Sequence, residues 1–377
     1  MKIVVAGDFC SRIRFGDIIE KGSYEQLLDS ELRACIHNAD YSIVNFEFPI
    51  VLTESEPIFK CGPNLRGTIK SIDFIKYAGF SCCTLANNHI LDYGPIALLD
   101  TKLLLQNAGV DTIGVGENIE EAARVLYKHI GDKVLAVINC CEHEFSIASQ
   151  TSPGSNPLNP IKQYYSIREA SKKADYVLVI VHGGHEHWQL PSPRMQELYR
   201  FFIDCGADAV VNHHQHCYSG SEVYAGKPII YGLGNFCFDI YPPRVDDLWN
   251  YGCVAEIEFN GTNVSFKLIP IKQCDNQVKV RIDNREYFDK RQSELNSIIS
   301  NSQILHEKTH EYYDRSLILC NRVMNPITNR YILALQNRKL LPSIVTKNWL
   351  VTVENFVLCE SHRDKLEFFF ESSRSRK

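Results

Sequence analysis

The chain has 377 residues, of which 45% are hydrophobic and 23% charged, with a formal net charge of −5. That length accommodates one large domain and a smaller one, and the mild acidity excludes nucleic acid or an anionic membrane as the main partner. Fourteen cysteines include no C-x-x-C pair, which excludes a zinc ribbon; Cys82, Cys83, Cys140, Cys237 and Cys253 lie in apolar runs, as small buried hydrophobes do.

The first residues, MKIVVAGD, turn polar too soon for a signal peptide, and no run of about 18 apolar residues marks a membrane span. No leader or membrane anchor is expected, and free thiols suit a reducing cytoplasm. Lys2–Ala6 reads as a strand entering Gly7-Asp8, and Asp8 then stands at its carboxyl end, as a turn residue or as a ligand. Leu27, Leu28, Leu32 and Ile36 predict a helix over Tyr24–Asn38. A strand over Tyr41–Asn45 is followed by Glu47 between two phenylalanines, where a buried carboxylate needs a metal or an arginine as partner. Residues 50–66 form an irregular loop in which Lys60 and Arg66 are either solvated or placed to meet an anionic substrate. A helix over Ile69–Ala78 and a strand over Ser81–Ala86 lead into Asn88, His89 and Asp92. Further helices are predicted over Pro95–Asn107, where Pro95 suits a first turn, Asn118–Tyr127, Ile161–Lys173 and Pro193–Cys205. Strands are predicted over Val110–Ile113 and Lys133–Asn139, and residues 142–160 form a long polar loop over the rim.

Three apolar runs, Val177–Val181, Ala209–Val211 and Ile229–Tyr231, each end in polar residues: His182, His185, Glu186 and His187; then Asn212, His213, His214 and His216; then Gly232, Gly234 and Asn235. Such runs read as buried strands, and open α/β sheets hold their sites at strand carboxyl ends. Six of the 13 histidines fall between His182 and His216, and imidazole with carboxylate suits a transition metal. Strand–helix alternation to about residue 240 argues for a layered α/β fold with a parallel or mixed sheet. Cys253–Phe259 and Val264–Ile269 read as a hairpin about Asn260-Gly261. Beyond Arg285 the pattern turns helical, through Leu295, Ile298, Ile299 and Leu305 and again over Trp349–Phe370, and the basic tail Ser372–Lys377 reads as disordered.

Asp8, Glu47, Asn88-His89, and His182 with His214 and His216 thus mark five strand ends. A bridging carboxylate with neutral Asn and His ligands is what a two-metal site requires. The segments GD (7–8), NFEFP (45–49), LANNHILDYG (85–94), HGGHE (182–186), GADAVVNHHQH (206–216) and YGLGNFCFD (231–239) resemble the CapA capsule-synthesis, or poly-γ-glutamate synthesis, family of the calcineurin-like metallophosphoesterase superfamily. The resemblance covers about residues 1–275. It implies a four-layer α/β/β/α sandwich over residues 1–280, with 281–377 as a helical C-terminal extension. It further implies two divalent metals (Mn, Fe or Zn). Asp8 and His216 would serve the first, Asn88, His182 and His214 the second, and Glu47 would bridge them. His89 would be the acid that protonates a leaving oxygen, Asp92 would orient it, and Glu186 and Asn235 would line the substrate pocket. Three positions depart from the pattern. Cys10 replaces the histidine of Asp-x-His and is expected to pack rather than ligate, Asn212 replaces a glycine, and Gln215 replaces a proline.

Two functions are consistent with this reading. One is a metal-dependent hydrolase acting on a phosphoester or an amide-linked polymer, its substrate an anionic polymer or a phosphorylated small molecule. The other is a non-catalytic, metal- and polymer-binding accessory protein of capsule synthesis. His89 and Asp92 favour the first, because a scaffold does not need them.

Overall fold

Residues 1–244, 247–324, 330–342 and 346–375 are described by a computed structural model. The first half alternates β1 (Lys2–Cys10), α1 (Ile13–Glu20), α2 (Ser30–His37), β2 (Tyr41–Phe46), α3 (Lys70–Ala78), β3 (Cys82–Thr84), α4 (Gly94–Asn107) and β4 (Asp111–Ile113). Next come β5 (Val115–Gly116), α5 (Ile119–Ala122), β6 (Leu126–Ile130), β7 (Lys133–Cys141), β8 (Gly154–Ser155), α6 (Pro160–Lys173) and β9 (Tyr176–His182). The chain continues through α7 (Pro193–Cys205), β10 (Ala209–His213), β11 (Ser221–Tyr224), β12 (Lys227–Ile230), β13 (Asn235–Phe238), β14 (Tyr251–Asn260), β15 (Asn263–Gln273) and β16 (Val280–Ile282). It closes on α8 (Arg285–Ile299), α9 (Ser302–Met324), α10 (Arg330–Asn337), α11 (Lys347–Leu358) and α12 (Glu360–Ser375).

Two mixed sheets form the centre. One runs β16-β15-β14-β1-β2-β3-β4, with β13 also paired to β1; the other runs β11-β12-β10-β9-β7-β6. Strand β1 shows why they stack. Ile3 and Val5 point into a core shared with Val137, Leu178, Val179 and Val210 of the second sheet. Val4 and Ala6 point the other way, among Phe15, Leu32, Phe74 and Leu98 of helices α1 to α4. A strand buried on both faces reads as a continuous apolar run rather than an alternating one. Helices α6 and α7 cover the outer face of the second sheet, which completes an α/β/β/α sandwich. Local signals set α7: Ser192 Oγ accepts from the Met195 amide, Pro193 opens the helix, and Gly206 closes it at φ +115°, as capping requires.

The C-terminal helices lie on this sandwich. Helix α8 packs on β11 and β15, α9 on α7 and α8, and α11 and α12 on α9. Trp188, in the loop after β9, stacks on Tyr312 of α9, with ring centroids 4.5 Å apart. Among the described residues no helix is long and apolar enough to cross a membrane.

Several boundaries differ from the sequence expectations. The helix expected over Asn118–Tyr127 ends at Ala122, and Leu126–Ile130 is instead an edge strand antiparallel to β7. Val125, Leu126, Tyr127 and Ile130 gain core contacts there, and that tertiary packing outweighs local propensity. The helix expected from Tyr24 starts at Ser30, after a 3₁₀ turn, where Asp29 caps the Glu31 amide. The helix expected over Trp349–Phe370 is broken at Cys359, whose backbone is extended. Helix α12 continues to Ser375, into the tail expected to be disordered, and residues 376–377 lie outside the described residues.

Candidate metal centre

Strands β1, β2 and β3 are mutually parallel, as are β9 and β10. Their carboxyl ends therefore share one rim, where the polar residues following each strand meet. The β1 end is held by close backbone approach. A Cβ on Gly7 would lie 1.8 Å from the Gly234 carbonyl oxygen, which accepts from the Asp8 amide at 3.0 Å. After β10 the chain turns sharply, with His214 at φ +89° and His216 at φ +55°. Non-glycine residues in that region carry strain, which the surrounding structure must hold.

These elements bring six side chains together. His182 Nε2 lies 3.0 Å from Asn88 Oδ1, 3.1 Å from His214 Nδ1 and 3.8 Å from Glu47 Oε1. His216 Nε2 lies 3.8 Å from the same Glu47 oxygen, and Asp8 Oδ2 is 3.6 Å from His216 Nδ1. Two groups of donors able to hold a metal ion result: Glu47, His182 and His214, and Asp8, Glu47 and His216. Glu47 belongs to both, and its buried Oε1 has no hydrogen-bond partner.

Electrostatics match the geometry. Burial, reinforced by the nearby Asp8 carboxylate, pushes the Glu47 carboxyl well above its ordinary value of 4.5. Burial, with the neighbouring imidazoles, holds His182 well below 6.5, in the neutral form that can ligate. His216 Nδ1 is 2.9 Å from Asn235 Oδ1. A bond from that ring N–H to the amide oxygen leaves Nε2 free to face Glu47.

Beside this group, His89 Nδ1 is 2.7 Å from Asp92 Oδ2, which also accepts the Leu65 amide at 2.6 Å. Lys60 forms a buried ion pair with Asp92 Oδ1 and lies 3.0 Å from His89 Nδ1. Its side chain is only 2% exposed, so it braces the His89–Asp92 pair instead of reaching an open site as the loop reading expected. Arg66 is exposed and lies over the Tyr93 ring. Glu186 is exposed next to the histidines, and its carbonyl faces Tyr312 Oη at 3.5 Å. Asn235 is fully buried, and its amide oxygen faces His216 Nδ1 at 2.9 Å. Cys10 is buried in the apolar cluster under α1 and α3 and belongs to neither donor group.

Asn212 joins three strand ends: its Nδ2 donates to the carbonyls of Gly183, His213 and Tyr231, and its Oδ1 accepts from Tyr199 Oη at 2.7 Å. Gln215 Nε2 donates to the Trp188 carbonyl at 2.9 Å. The two departures from the family pattern are thus built into the loop's bonding. Trp249 lies against His216, ring centroids 4.6 Å apart, and its indole N–H donates to the Phe238 carbonyl at 2.7 Å.

Three polar residues of the centre were missed by the sequence reading. Asn45 Nδ2 bonds Asp8 Oδ1 at 2.7 Å and approaches His182 Nδ1 at 3.2 Å. Glu142 and Glu144 follow β7 directly, so the rule that identified Asp8 and Glu47, polar residues just past an apolar strand, applies to them too. Glu144 is buried among Asn88, Asn355 and His362. Burial works to raise its carboxyl, but hydrogen bonding to His362 and the nearby imidazoles outweigh this and lower it. Glu144, Cys359 and His362 form a third group of donors. There the Cys359 thiol turns to Glu142, and burial pushes it well up, so this group reads as a hydrogen-bonded anchor.

The sequence matches the family described as "Bacterial capsule synthesis protein PGA_cap" over residues 2–240. It is 34% identical to "Capsule biosynthesis protein CapA" of Bacillus anthracis over 212 residues, 54% of this chain and 52% of that protein. To "PGA biosynthesis protein CapA" of Bacillus subtilis it is 30% identical over 276 residues, 71% of each. The match thus spans about half the length of the first of these relatives. Among solved structures, a 5′-nucleotidase precursor of Thermus thermophilus superposes with a TM-score of 0.42 at 13% identity, covering 78% of this chain and 57% of that one.

Proposed function

Because the chain belongs to the bacterial capsule synthesis PGA_cap family, we propose that it serves capsule or poly-γ-glutamate metabolism as a metal-dependent hydrolase of a phosphoester or amide bond. The observation that carries this reading is two donor groups sharing Glu47 beside a His89–Asp92 pair that neither group needs. The donors suit two divalent cations. The unpartnered Glu47 oxygen lies between His182 and His216, and clustered carboxylates with neutral imidazoles are the expected shell for Mn, Fe or Zn. Asp8, Glu47 and His216 would hold one ion, and Glu47, Asn88, His182 and His214 the other. Bound there, such ions supply Lewis acidity toward the scissile group.

The remaining chemistry belongs to the chain. Asp92 fixes the proton of His89 on Nδ1, and Lys60 and the Leu65 amide hold Asp92 in place. When His89 is protonated, its Nε2–H is left to be given to a leaving oxygen or nitrogen. Burial lowers His89 below 6.5, which makes that proton easier to release near neutral pH. Asn45 orients Asp8, and Asn235 orients His216. We take residues 1–280 as the hydrolase domain and 281–377 as its helical extension. The substrate would be an anionic polymer or a phosphorylated small molecule, and fourteen unpaired thiols suit work in the reducing cytoplasm.

The test joins metal analysis of protein purified without chelator to a panel of phosphomonoesters, phosphodiesters and γ-glutamyl peptides. His89→Ala is expected to keep its metal and lose about 10²–10⁴-fold in rate, whereas His182→Ala loses metal and turnover together. Metal-loaded protein that cleaves nothing on the panel, with polymer production unchanged by His89→Ala in cells, would instead identify a metal- and polymer-binding accessory protein.

A further inference from the structure

The side chain of Asn88 can face the centre in two ways. Its amide oxygen and nitrogen are nearly the same size, and only the oxygen can meet a cation. Asn88 Oδ1 lies 3.0 Å from His182 Nε2, on the side of the donor group, and Nδ2 donates to Glu144 Oε2 at 2.9 Å on the opposite side. An ionised carboxylate only accepts. Were the amide reversed, its oxygen would face the Glu144 oxygen at hydrogen-bond distance with no proton between them. Glu144 therefore selects one of two otherwise equivalent orientations.

Glu144 is held in turn by the far end of the chain. Its Oε1 accepts from Asn355 Nδ2 of α11 at 3.1 Å and lies 3.5 Å from His362 Nε2 of α12. The two preceding residues are held in the same way. The His143 amide and Nδ1 meet the Glu360 carboxylate at 2.9 and 2.6 Å, and Glu142 accepts from Ser361 Oγ and, at 2.8 Å, from Arg194 Nη2. Three consecutive residues after β7 are thus clamped by 355–362, a stretch outside the region the family shares, residues 2–240.

We propose that Glu144 is a positioning residue that turns the Asn88 carbonyl toward the metal centre, and that helices α11 and α12, by fixing Glu144, are a working part of that centre. The proposal rests on the reading of Asn88 as a metal ligand.

The test measures Mn²⁺ affinity of the full chain by equilibrium dialysis, with melting followed by circular dichroism to verify the fold. Glu144→Gln can present either a donor or an acceptor to Asn88, so selection is lost and Mn²⁺ affinity falls about 10–100-fold, as for other residues that orient ligands. Asn88→Asp alone sets two carboxylates against each other and also weakens binding. Combining Asn88→Asp with Glu144→Gln restores the donor–acceptor pair with the roles exchanged and regains most of the affinity. Purely structural damage at position 144 would not be repaired by a second change at position 88. Should Glu144→Gln fail to fold, Asn355→Ala decides, since it leaves Glu144 in place without its anchor and should still weaken Mn²⁺ binding. Wild-type protein that binds no Mn²⁺ would sink the metal reading and this proposal with it. Wild type that binds Mn²⁺, with Glu144→Gln or its stand-in Asn355→Ala binding equally tightly, would overturn this proposal alone.

Discussion

Arg194 joins the sandwich to its last helix. Its Nε sits 2.8 and 2.9 Å from the two Asp364 oxygens of α12, and Nη2 sits 2.8 Å from Glu142 Oε1. The two acids are nearly covered, with side chains 11% and 4% exposed, while Arg194 itself is 26% exposed. Arg194→Ala leaves both carboxylates buried without their cation. Breaking a fully buried pair costs about 3–5 kcal/mol; discounted for solvent reaching Arg194, the loss should be about 2–3 kcal/mol. Burial already raises Asp364 above its ordinary 3.8 despite the arginine, and in the variant it should rise further. A folded-state value raised above the unfolded one favours folding only while the group keeps its proton. The deficit relative to wild type should therefore be greatest near neutrality and shrink as pH falls toward the ordinary carboxylate range near 4. Urea unfolding at several pH values measures the deficit, and hydrogen exchange across α12 locates it. Arg194→Lys, which keeps the charge without the fork, should recover part of the loss. A change below about 1 kcal/mol, independent of pH and with α12 exchange unaltered, would refute the reasoning.

Cys10→Ser should leave metal content intact, as measured by elemental analysis, and lower stability by about 1–3 kcal/mol, because it buries a hydroxyl in an apolar cluster. The contact between His143 and Glu360 raises His143 above 6.5, with Glu142 adding to the effect and Arg363 opposing it. Stability from this contact is fully present below 6.5 and is lost as pH rises through the raised value. Amide exchange in the first turn of α12 should accelerate over that interval, and His143→Gln should remove the pH dependence.

The layered fold was legible in the sequence because each strand's burial leaves a local trace. Val177–Val181 is apolar throughout since both of its faces are covered, and the polar burst after it falls where the sheet ends. That six side chains, from Asp8 to His216, would meet at one rim was legible for the same reason. Residues whose partners are remote left no such trace. Asn355 meets Glu144 across 211 residues and Ser361 meets Glu142 across 219, and neither helix spacing nor capping encodes such a meeting. Lys60 was misread because its loop composition looks solvated, whereas its charge is neutralised by Asp92, 32 positions further on in the chain. Leu126 and Tyr127, the start of the Leu126–Ile130 strand, were read as the end of a helix, because the pairing with β7 does not show in their own spacing.

The placement of the tryptophans makes the protein its own optical instrument. There are only three. Trp249 rests on His216, so its emission should respond to changes around that imidazole. Trp188 is stacked on Tyr312 of α9, and its emission reports whether that helix is seated. Trp349 lies on α11. Replacing the tryptophans by phenylalanine in pairs would leave one chromophore at a time. Events at the rim and the seating of the C-terminal helices could then be followed separately in one unlabelled molecule.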